Sequence, residues 1–465
     1  MNKIIIISAV VFMFSGCENF LTIEPTNEVL TTEAINSAED IQKTLISAYD
    51  VMRNGNYLGG NMWTMGDLVS DNSEKDFSDF GWDQIAQRSM NLFNIQGRSF
   101  WQNAYFSAER VNYVMYLLDH SGVPDLIEQE RQRIEGECRF IRAVAHFELV
   151  RFFALPFEAD SNNDQPGIPI RLKPVVDIAA ATKIVDRATV QMVYDSVIAE
   201  LELAVDLLPG DNGTYASSWA AKAYLARIYF QMNDFDRAFS YASDIIINGG
   251  FALNDSVQER FATTNSGEAI FELQSTSAGN NSAGALVGNY RQNGAGNPGF
   301  HPSADLVNQA ISDENDTRGQ RFYNTRFISG TEGLERTYCA KYDYDYMNVP
   351  VSHLAEIILI RAESAIDKSS PDLPQAISDL QMIRDRAYGE GNKIVPGNST
   401  AEELRNLCQF ERRLELAMEG NRLHDLKRTK SEVRGLPYNS NRTVWQIPDI
   451  EQAGNPDIEM NPSSD

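Results

Sequence analysis

The chain has 465 residues, of which 43% are hydrophobic and 23% charged, and its formal net charge at pH 7 is −25. This length is sufficient for one large domain or two of ordinary size. The negative charge argues against a surface that binds nucleic acid or anionic lipid headgroups, because phosphate recognition requires clustered Lys and Arg side chains.

The chain opens with a short apolar segment that leads to a cysteine. Lys3 precedes an apolar run over residues 4–14, and two small residues come directly before Cys17. The run is too short for a membrane-spanning helix, which needs about 20 apolar residues, and is typical of a secretory signal peptide. The small residues before Cys17 resemble the bacterial lipoprotein signal, in which cleavage leaves an acylated cysteine at the new N-terminus. We therefore predict a signal peptide over residues 1–16, lipidation of Cys17 and a tether over residues 17–32. The alternative is a soluble secreted protein.

The remaining cysteines do not indicate disulfides or a metal site. They are Cys138, Cys339 and Cys408, an odd number without the spacing of a zinc or redox motif. We expect them to be buried as small hydrophobic side chains, so that stability comes from a large core.

Amphipathic patterns predict helices in the first third of the chain. The stretch "SAEDIQKTLISAYDVMRN" places Ile41, Leu45 and Met52 on one helical face. Residues 55–97 are rich in Gly, Asn, Asp and aromatic residues, and we predict that they are loop-like. Helical patterns return in "FWQNAYFSAERVNYVMYLLDH" and in "IEQERQRIEGECRFIRAVAHFELVRFFA", which ends before Pro156.

Two later segments predict pairs of helices. The stretch "WAAKAYLARIYFQMNDFDRAFSYASDIIINGG" resembles a tetratricopeptide repeat, in which small residues let two antiparallel helices approach closely. "LAEIILIRAESAI" and "LPQAISDLQMIRDRA" have a similar character with a longer turn. The pairs indicate a helical scaffold, and the alternative is antiparallel helices without a true solenoid.

A long irregular region, which we call the middle region, is predicted over residues 251–349. "AIFELQST" has the alternation of a short strand, whereas "SAGNNSAGALVGNYRQNGAGNPGF" is rich in Gly and Asn. A loop of this length in a compact protein is usually functional or disordered. The C-terminal tail contains several prolines, and we expect Trp445 and Ile447 to pack it against the rest of the protein.

Motifs for catalysis or metal binding are missing from the sequence. The five histidines are scattered without an HExxH spacing, and there is no nucleophile elbow, P-loop or dinucleotide fingerprint. "DSNNDQPG" begins like a calcium loop, but its Gly167 comes two positions late. We predict no metal and no cofactor, whereas a pair of glycosidase carboxylates among the 65 Asp and Glu residues remains open at this point. The helical stretch "FERRLELAMEGNRLHDLKR" is predicted to be half buried, with Arg–Glu pairs along it that define the fold.

Recognition of carbohydrate has different requirements, which the loop-like regions meet. Sugar rings stack on aromatic faces, and loop-borne exposed aromatic residues are candidates for recognition. Trp82 lies among polar residues and is the better candidate, whereas Trp63 and Trp101 are expected in the core. The predicted ligand-binding residues are Asp71, Trp82, Tyr290 and Arg291.

Taken in order along the chain, several motifs resemble those of the SusD/RagB family of outer-membrane nutrient-binding lipoproteins. Any one of them is weak, but the ordered series is specific. They are the "C…FL…P" opening, "GECRFIRAVAHFELVRFFALPF", "AAKAYLARIYFQMNDFDRA", "SDENDTRGQRF", "HLAEIILIRAESA", "IRDRA", "ERRLELAMEGNRLHDLKR" and "IP…NP" in the tail.

The resemblance implies a mainly α-helical, SusD-like fold with tetratricopeptide-like helix pairs, here a single domain over residues 33–465. It also implies a non-enzymatic protein, anchored through its lipid to the outer membrane and exposed at the cell surface. Such a protein acts as a hinged lid that delivers oligosaccharides to a SusC-like TonB-dependent transporter. Three alternatives remain, namely a peptide-binding member of the same uptake system, a lipid-anchored glycan hydrolase and a structural scaffold that holds other proteins.

Overall fold

The structure is a computed structural model, and it describes residues 35–262, 266–277, 280–291, 299–327 and 335–462. The predicted signal peptide, Cys17 and the tether lie outside the described residues. In the described part of the chain, no helix is long and apolar enough to cross a bilayer.

The described residues form 18 helices and a few short strands, which confirms the predicted mainly α fold. The helices are α1 (Ala38–Met52), α2 (Asn61–Val69), α3 (Phe80–Gln87), α4 (Ile95–His120), α5 (Glu128–Phe153), α6 (Ile178–Ala181), α7 (Val190–Leu207), α8 (Ser218–Gln231), α9 (Phe235–Asn248), α10 (Glu259–Ala262), α11 (Gly284–Tyr290), α12 (Ala304–Ala310), α13 (Thr317–Arg321), α14 (Leu354–Asp367), α15 (Leu373–Tyr388), α16 (Ala401–Glu415), α17 (Arg422–Arg428) and α18 (Asp449–Gly454). The strands are β1 (Ser73–Lys75), β2 (Pro166–Pro169), β3 (Arg187–Thr189), β4 (Ala269–Leu273), β5 (Phe300–Pro302), β6 (Tyr323–Phe327), β7 (Glu335–Cys339) and β8 (Val349–His353).

A continuous row of packed helices forms the scaffold. In the order α1, α4, α5, α7, α8, α9, α14 and α15, each helix packs against the next. The predicted helix pairs are therefore present as α8 with α9 and α14 with α15. Contact between α9 and α14 stacks one pair on the other, as in a helical solenoid.

Helix α1 illustrates how the local sequence specifies these elements. Ser37 and Asp40 form a capping box that satisfies free backbone N–H groups at the helix start. The predicted apolar face of Ile41, Leu45 and Met52 is completely buried, because helix spacing directs it toward α4.

The described strands form four two-stranded antiparallel sheets, two of which, β1–β5 and β4–β8, join segments that are distant in sequence. In β1 and β5, Lys75 pairs with Phe300 and Ser73 with Pro302. β4 pairs with β8, so the strand predicted from "AIFELQST" is confirmed. The β1–β5 sheet brings the two regions predicted to be loop-like into contact.

Those two regions contain more regular structure than predicted. Residues 55–97 include α2, α3 and β1, and residues 251–349 include helices α10 to α13 and strands β4 to β7. Eight of the nine residues of α2 are buried, so its sequence has no polar face that would mark a helix. The other elements are only a few residues long, which leaves too little sequence for a period to be visible.

The charged motif near the C-terminus also differs from its prediction. Helix α16 ends at Glu415, so the motif is not one helix with acid–base ladders along it. Its acidic side chains instead reach into the middle region, where Glu415 binds Arg260 at 3.1 Å and Glu411 binds Arg318 at 2.7 Å. Burial raises the pKa of Glu415, but the positive charges of Arg386, Arg260 and Arg318 outweigh burial and lower this pKa to about 2. The fold-defining ion pairs therefore join separate elements.

The remaining core predictions are confirmed. Trp445 and Ile447 are buried, and the Trp445 N–H donates to the Phe152 carbonyl at 3.0 Å. Trp63 and Trp101 belong to the core, and the three cysteines described are free and buried. The assignment of residues 33–465 to one domain stays a prediction.

Candidate ligand-binding site

Two of the predicted site residues, Trp82 and Tyr290, meet at one aromatic cluster centred on Phe300. The ring centroid of Phe300 lies 4.8 Å from that of Trp82, 5.1 Å from that of Phe77 and 6.1 Å from that of Tyr290. The β1–β5 sheet builds this cluster, because it places Phe300 opposite Lys75, two residues before Phe77. We call these four rings the Phe300 cluster.

The rings chosen from the sequence are not exposed. Trp82 is 9% exposed and Tyr290 is fully buried, so neither presents the free face that stacking on a sugar ring requires. The expectation that Trp82 lies on an exposed loop is therefore wrong. Asp79 caps α3 and accepts hydrogen bonds from the Gly81 and Trp82 N–H groups. Its helix turns the Trp82 ring inward, although the neighbouring residues are polar.

Two aromatic side chains outside this cluster are exposed: Phe80, two residues before Trp82, and Tyr346, which follows the Arg291 partner Asp345. Phe80, the first residue of α3, is 71% exposed, and Tyr346 is 42% exposed. Phe77 is half-buried. Phe80 directly follows the N-cap Asp79, but Gly81 and Trp82 of the same turn are buried, so the sequence carries no signal that separates the exposed ring of Phe80 from the buried ring of Trp82.

Charged side chains surround the same cluster. Asp76 binds Arg336, and His301 Nε2 lies 3.3 Å from Asp76 Oδ1. Lys75 binds Asp83 and lies over the Phe77 ring. These pairs hold β1, β5 and α3 together and supply polar groups beside exposed aromatic carbon.

Arg291 is engaged by acidic residues of the middle region. Its Nη2 lies 2.7 Å from Asp345 Oδ1 and its Nε lies 3.4 Å from Asp343 Oδ1. Arg291 directly follows Tyr290, the last residue of α11, so its position depends on the Phe300 cluster. Its guanidinium fixes the segment that carries the exposed ring of Tyr346.

Asp71 lies two residues before β1 and forms ion pairs with two arginines. Arg422 donates Nε to Oδ1 at 2.7 Å and Nη2 to Oδ2 at 2.9 Å, and Arg413 Nη2 lies 3.3 Å from Oδ2. Burial raises the pKa of Asp71, but the hydrogen bond and charge of Arg422 outweigh burial and lower it. Asp71 is therefore a carboxylate at neutral pH.

The donor set of the site does not suit a metal ion. Among the residues that the structure describes, no group of three or more His, Cys, Asp or Glu side chains could hold one. The arrangement offers aromatic faces and paired charges, which suit the recognition of an uncharged or hydroxyl-rich ligand.

Two family models match the chain over separate ranges. A model described as starch-binding and associating with the outer membrane matches residues 19–230. A model of the SusD family matches residues 338–453.

Relatives and solved structures match over nearly the full length. "SusD-like protein P2" of Formosa agariphila is 25% identical over 90% of this chain and 89% of its own. "SusD-like protein P38" of the same organism is 22% identical over 97% of this chain and 96% of its own.

Two crystal structures share the fold. A SusD superfamily protein from Bacteroides thetaiotaomicron has a TM-score of 0.81 at 22% identity and covers 92% of this chain and 100% of its own. A SusD-like carbohydrate binding protein from Bacteroides vulgatus has a TM-score of 0.76 at 18% identity and covers 91% and 98%. With both ends of the chain matched by models of one family and the fold shared along nearly all of it, this protein belongs to the SusD/RagB family.

Proposed function

We propose that this protein is a lipoprotein of the outer membrane that binds oligosaccharides at the cell surface. It delivers them to a SusC-like TonB-dependent transporter, above which it acts as a hinged lid. The observation that carries this proposal is membership of the SusD/RagB family, since one matching family model is described as starch-binding and one solved structure of this fold is named a carbohydrate binding protein.

The surface beside the Phe300 cluster is the proposed sugar contact. Phe80 offers an exposed ring, and Asp76, Asp83 and Arg336 offer hydrogen-bonding groups around it. Trp82 and Tyr290 support this surface from beneath, because both rings pack on Phe300. Arg291 fixes the segment of Tyr346, and Asp71 belongs to a neighbouring pocket.

The proposed activity is binding and delivery, without a chemical step. The sequence lacks the motifs of the common hydrolase classes, and the strongest ion pairs tie elements of the fold together. Incubation of the purified protein with polysaccharides should release no new reducing ends. Their appearance would favour the alternative of a lipid-anchored hydrolase.

A panel of neutral oligosaccharides tests the sugar ligand. Isothermal titration should identify at least one ligand, and Phe80→Ala should weaken its binding about tenfold, which corresponds to about 1.4 kcal/mol. Phe106→Ala is the matched control, because Phe106 is a 55% exposed ring on the outer side of α4. Its replacement should leave the affinity unchanged.

Two results would contradict this assignment. Equal affinities of the Phe80→Ala variant and the unaltered protein would show that the surface beside the Phe300 cluster is not the contact. Binding to peptides and to no glycan would favour the peptide-binding alternative.

The transporter partner is tested separately, by purification of a tagged protein from solubilised outer membranes. A large β-barrel protein should copurify with it. Recovery of several soluble proteins and no barrel would favour the structural scaffold instead.

A further inference from the structure

Three arginines lie together at the C-terminal end of α3. Arg88 directly follows this helix, and its backbone carbonyl accepts a hydrogen bond from Nε of Arg442 at 3.4 Å. Nη2 of Arg442 donates to the Gln87 carbonyl at 3.2 Å. Burial, and after it the positive charges of Arg434 and Arg442, lower the pKa of Arg88, so its guanidinium lies close to both of the others. We call Arg88, Arg434 and Arg442 the arginine group.

The hydrogen bonds that position this group go to uncharged backbone carbonyls. Arg434 donates from Nε to the Ser70 carbonyl at 2.6 Å and from Nη2 to the Ser73 carbonyl at 2.7 Å. Arg442 uses the same two nitrogens for the carbonyls at the end of α3. A carbonyl satisfies an N–H donor, but it does not cancel the full positive charge of a guanidinium.

Acidic side chains do not compensate this charge. In the described part of the chain, no carboxylate oxygen lies within 4.0 Å of a guanidinium nitrogen of the arginine group. Asp83 of α3 binds Lys75 instead. Glu74 and Glu432, which neighbour Ser73 and Arg434 in the sequence, are exposed and lie beyond this distance. A nearby acid would raise the pKa of Arg88, whereas its charged neighbours only lower it.

The arginine group has free donors that solvent can reach. Among the described residues, the guanidinium of Arg88 has no hydrogen-bond acceptor, and its side chain is only half-buried. Arg434 is exposed and Arg442 half-buried, and each leaves Nη1 unused. None of these free nitrogens is among the completely buried polar atoms of the described residues that lack a partner. An incoming anion can therefore bind them without displacing an acid of the protein.

The arginine group shares a helix with the proposed sugar contact. Phe80 is the first residue of α3 and Arg88 follows its last, so a helical rise of about 1.5 Å per residue separates their backbones by about 12 Å. Arg434 also binds Ser73 of β1, the strand that pairs with β5 and Phe300. One extended ligand can therefore contact the ring of Phe80 and the arginine group together.

The charge of the whole protein makes this cationic surface selective. The chain has a net charge of −25, so an anion is repelled by most of the surface and attracted where arginines lack acidic partners. Planar guanidinium groups bind carboxylate and sulfate oxygens through paired, charge-assisted hydrogen bonds.

We propose that the arginine group binds one oxyanion, a carboxylate or a sulfate, of an oligosaccharide whose sugar rings contact Phe80. The binding surface then prefers acidic glycans to neutral ones. This inference rests on the proposed function, because it adds a charged end to the proposed sugar contact and names the class of glycan that fits both parts.

The test compares acidic with neutral oligosaccharides on the purified protein. Isothermal titration uses oligogalacturonate and oligomannuronate as carboxylated probes, fragments of chondroitin sulfate and κ-carrageenan as sulfated probes, and maltotetraose and cellotetraose as neutral ones. At least one acidic probe should bind at least about tenfold tighter than either neutral probe. Since the contact is electrostatic, added salt should weaken the binding of the acidic probe and not that of a neutral one. The carboxylated and sulfated probes distinguish the two sources of the oxyanion.

Two variants locate the site. Arg88→Gln should weaken binding of the acidic probe at least about tenfold, with an unchanged melting temperature, because the guanidinium has no acceptor among the described residues. Gln87→Glu keeps all three arginines, adds a negative charge at an exposed position beside them and should have the same effect. Arg321→Gln is the matched control, because Arg321 of α13 is also an exposed arginine without an ion pair among the described residues. Its replacement should leave the affinity unchanged.

The outcomes separate this inference from the proposed function. Acidic probes that bind no tighter than neutral ones overturn it, and so does acid binding that Arg88→Gln leaves unchanged. If neutral oligosaccharides still bind and respond to Phe80→Ala, the proposed function stands while the acidic preference fails. If no oligosaccharide of either kind binds, both fail.

Discussion

Asp67 of α2 is completely buried, and its carboxyl group faces the turn before α17. Its Oδ2 accepts from the Gly420 N–H at 2.8 Å and its Oδ1 from Asn72 Nδ2 at 3.3 Å. Burial raises its pKa to about 7 against these hydrogen bonds. In the unfolded chain an Asp titrates near pH 4. Between these two values the folded protein retains a proton that the unfolded chain has lost, so this group lowers stability as the pH rises from about 4 to 7.

Asp67→Asn should remove this dependence. The free energy of unfolding of the unaltered protein should fall relative to that of the variant by up to about 1.4 kcal/mol per pH unit between pH 5 and 7. Urea unfolding at pH 5, 6, 7 and 8 measures the difference. Glu74→Gln, at an exposed carboxyl of β1, is the control. Identical slopes for the Asp67→Asn variant and the unaltered protein would show that Asp67 titrates as an ordinary aspartate.

Glu411 tests the ion pairs that connect the scaffold to the middle region. It is completely buried and lies 2.7 Å from Nη2 of Arg318, which is also completely buried. Glu411→Gln leaves the guanidinium with less compensating charge, and we expect a loss of about 3–5 kcal/mol in the free energy of unfolding. Asp313→Asn, which breaks the partly exposed pair with Lys393, should cost less than about 1 kcal/mol. If both variants lose a similar free energy of unfolding in urea, the buried Glu411–Arg318 pair contributes no more to stability than the partly exposed Asp313–Lys393 pair.

At the level of helices and strands, α1, α9 and α15 each have one buried face, so their helical period follows from the sequence. α8 and α14 are buried on nearly all sides, and they are predicted from their length and from the helix-pair pattern to which they belong. α2 is also buried on nearly all sides but has only nine residues, so neither a polar face nor its length marks it as a helix. The β1–β5 sheet is missed because its partners are separated by more than 220 residues, and no local pattern encodes such a pairing.

The same reasoning explains the candidate site. Its region was predictable, since Asp71, Trp82, Tyr290 and Arg291 all lie in segments that the β1–β5 sheet joins or that adjoin it. The sequence did not predict which ring faces solvent, because the direction of the Trp82 ring depends on its packing against Phe300. Sequence polarity around Trp82 reports on its neighbours in the helix, and not on the ring itself.

Helix α2 and the turn before α17 approach closely through two glycines. A Cβ added to Gly66 would lie 2.7 Å from the carbonyl oxygen of Gly420, a backbone atom that cannot move alone. Gly66→Ala should therefore lower the free energy of unfolding by about 1–3 kcal/mol. Gly288→Ala is the matched control, because Gly288 is also in a helix and a Cβ there meets nothing within 4 Å. That variant should be neutral or gain up to about 1 kcal/mol.

Thermal unfolding of the two glycine variants provides the measurement. If Gly66→Ala melts at the temperature of the unaltered protein, α2 and the turn are not in the close contact described. A loss in Gly288→Ala would mean that an alanine destabilises these helices for reasons other than crowding.

The C-terminal segment packs back against helix α4 of the scaffold. Trp101 Nε1 donates to Glu451 at 3.1 Å, and Arg98 binds Asp449 at 3.1 Å. The first described helix is itself fixed, because the Ala38 N–H donates to Asp125 at 2.9 Å. These contacts hold the described body together from α1 onward, and the proposed anchor at Cys17 precedes α1 in the sequence.

Cys17→Ala tests the proposed anchor without changing any residue that the structure describes. A thioether-linked diacylglycerol and an acylated amine supply several apolar chains, each worth about 0.8 kcal/mol per buried CH₂, which holds a protein durably in a membrane. The variant should leave the membrane pellet and appear in the soluble fraction, with an unchanged melting temperature. Mass spectrometry of the unaltered protein should find the acyl groups on Cys17. A variant that stays in the membrane pellet after a salt wash would place the attachment elsewhere in the chain, and an unmodified Cys17 would remove the lipid from the proposed function.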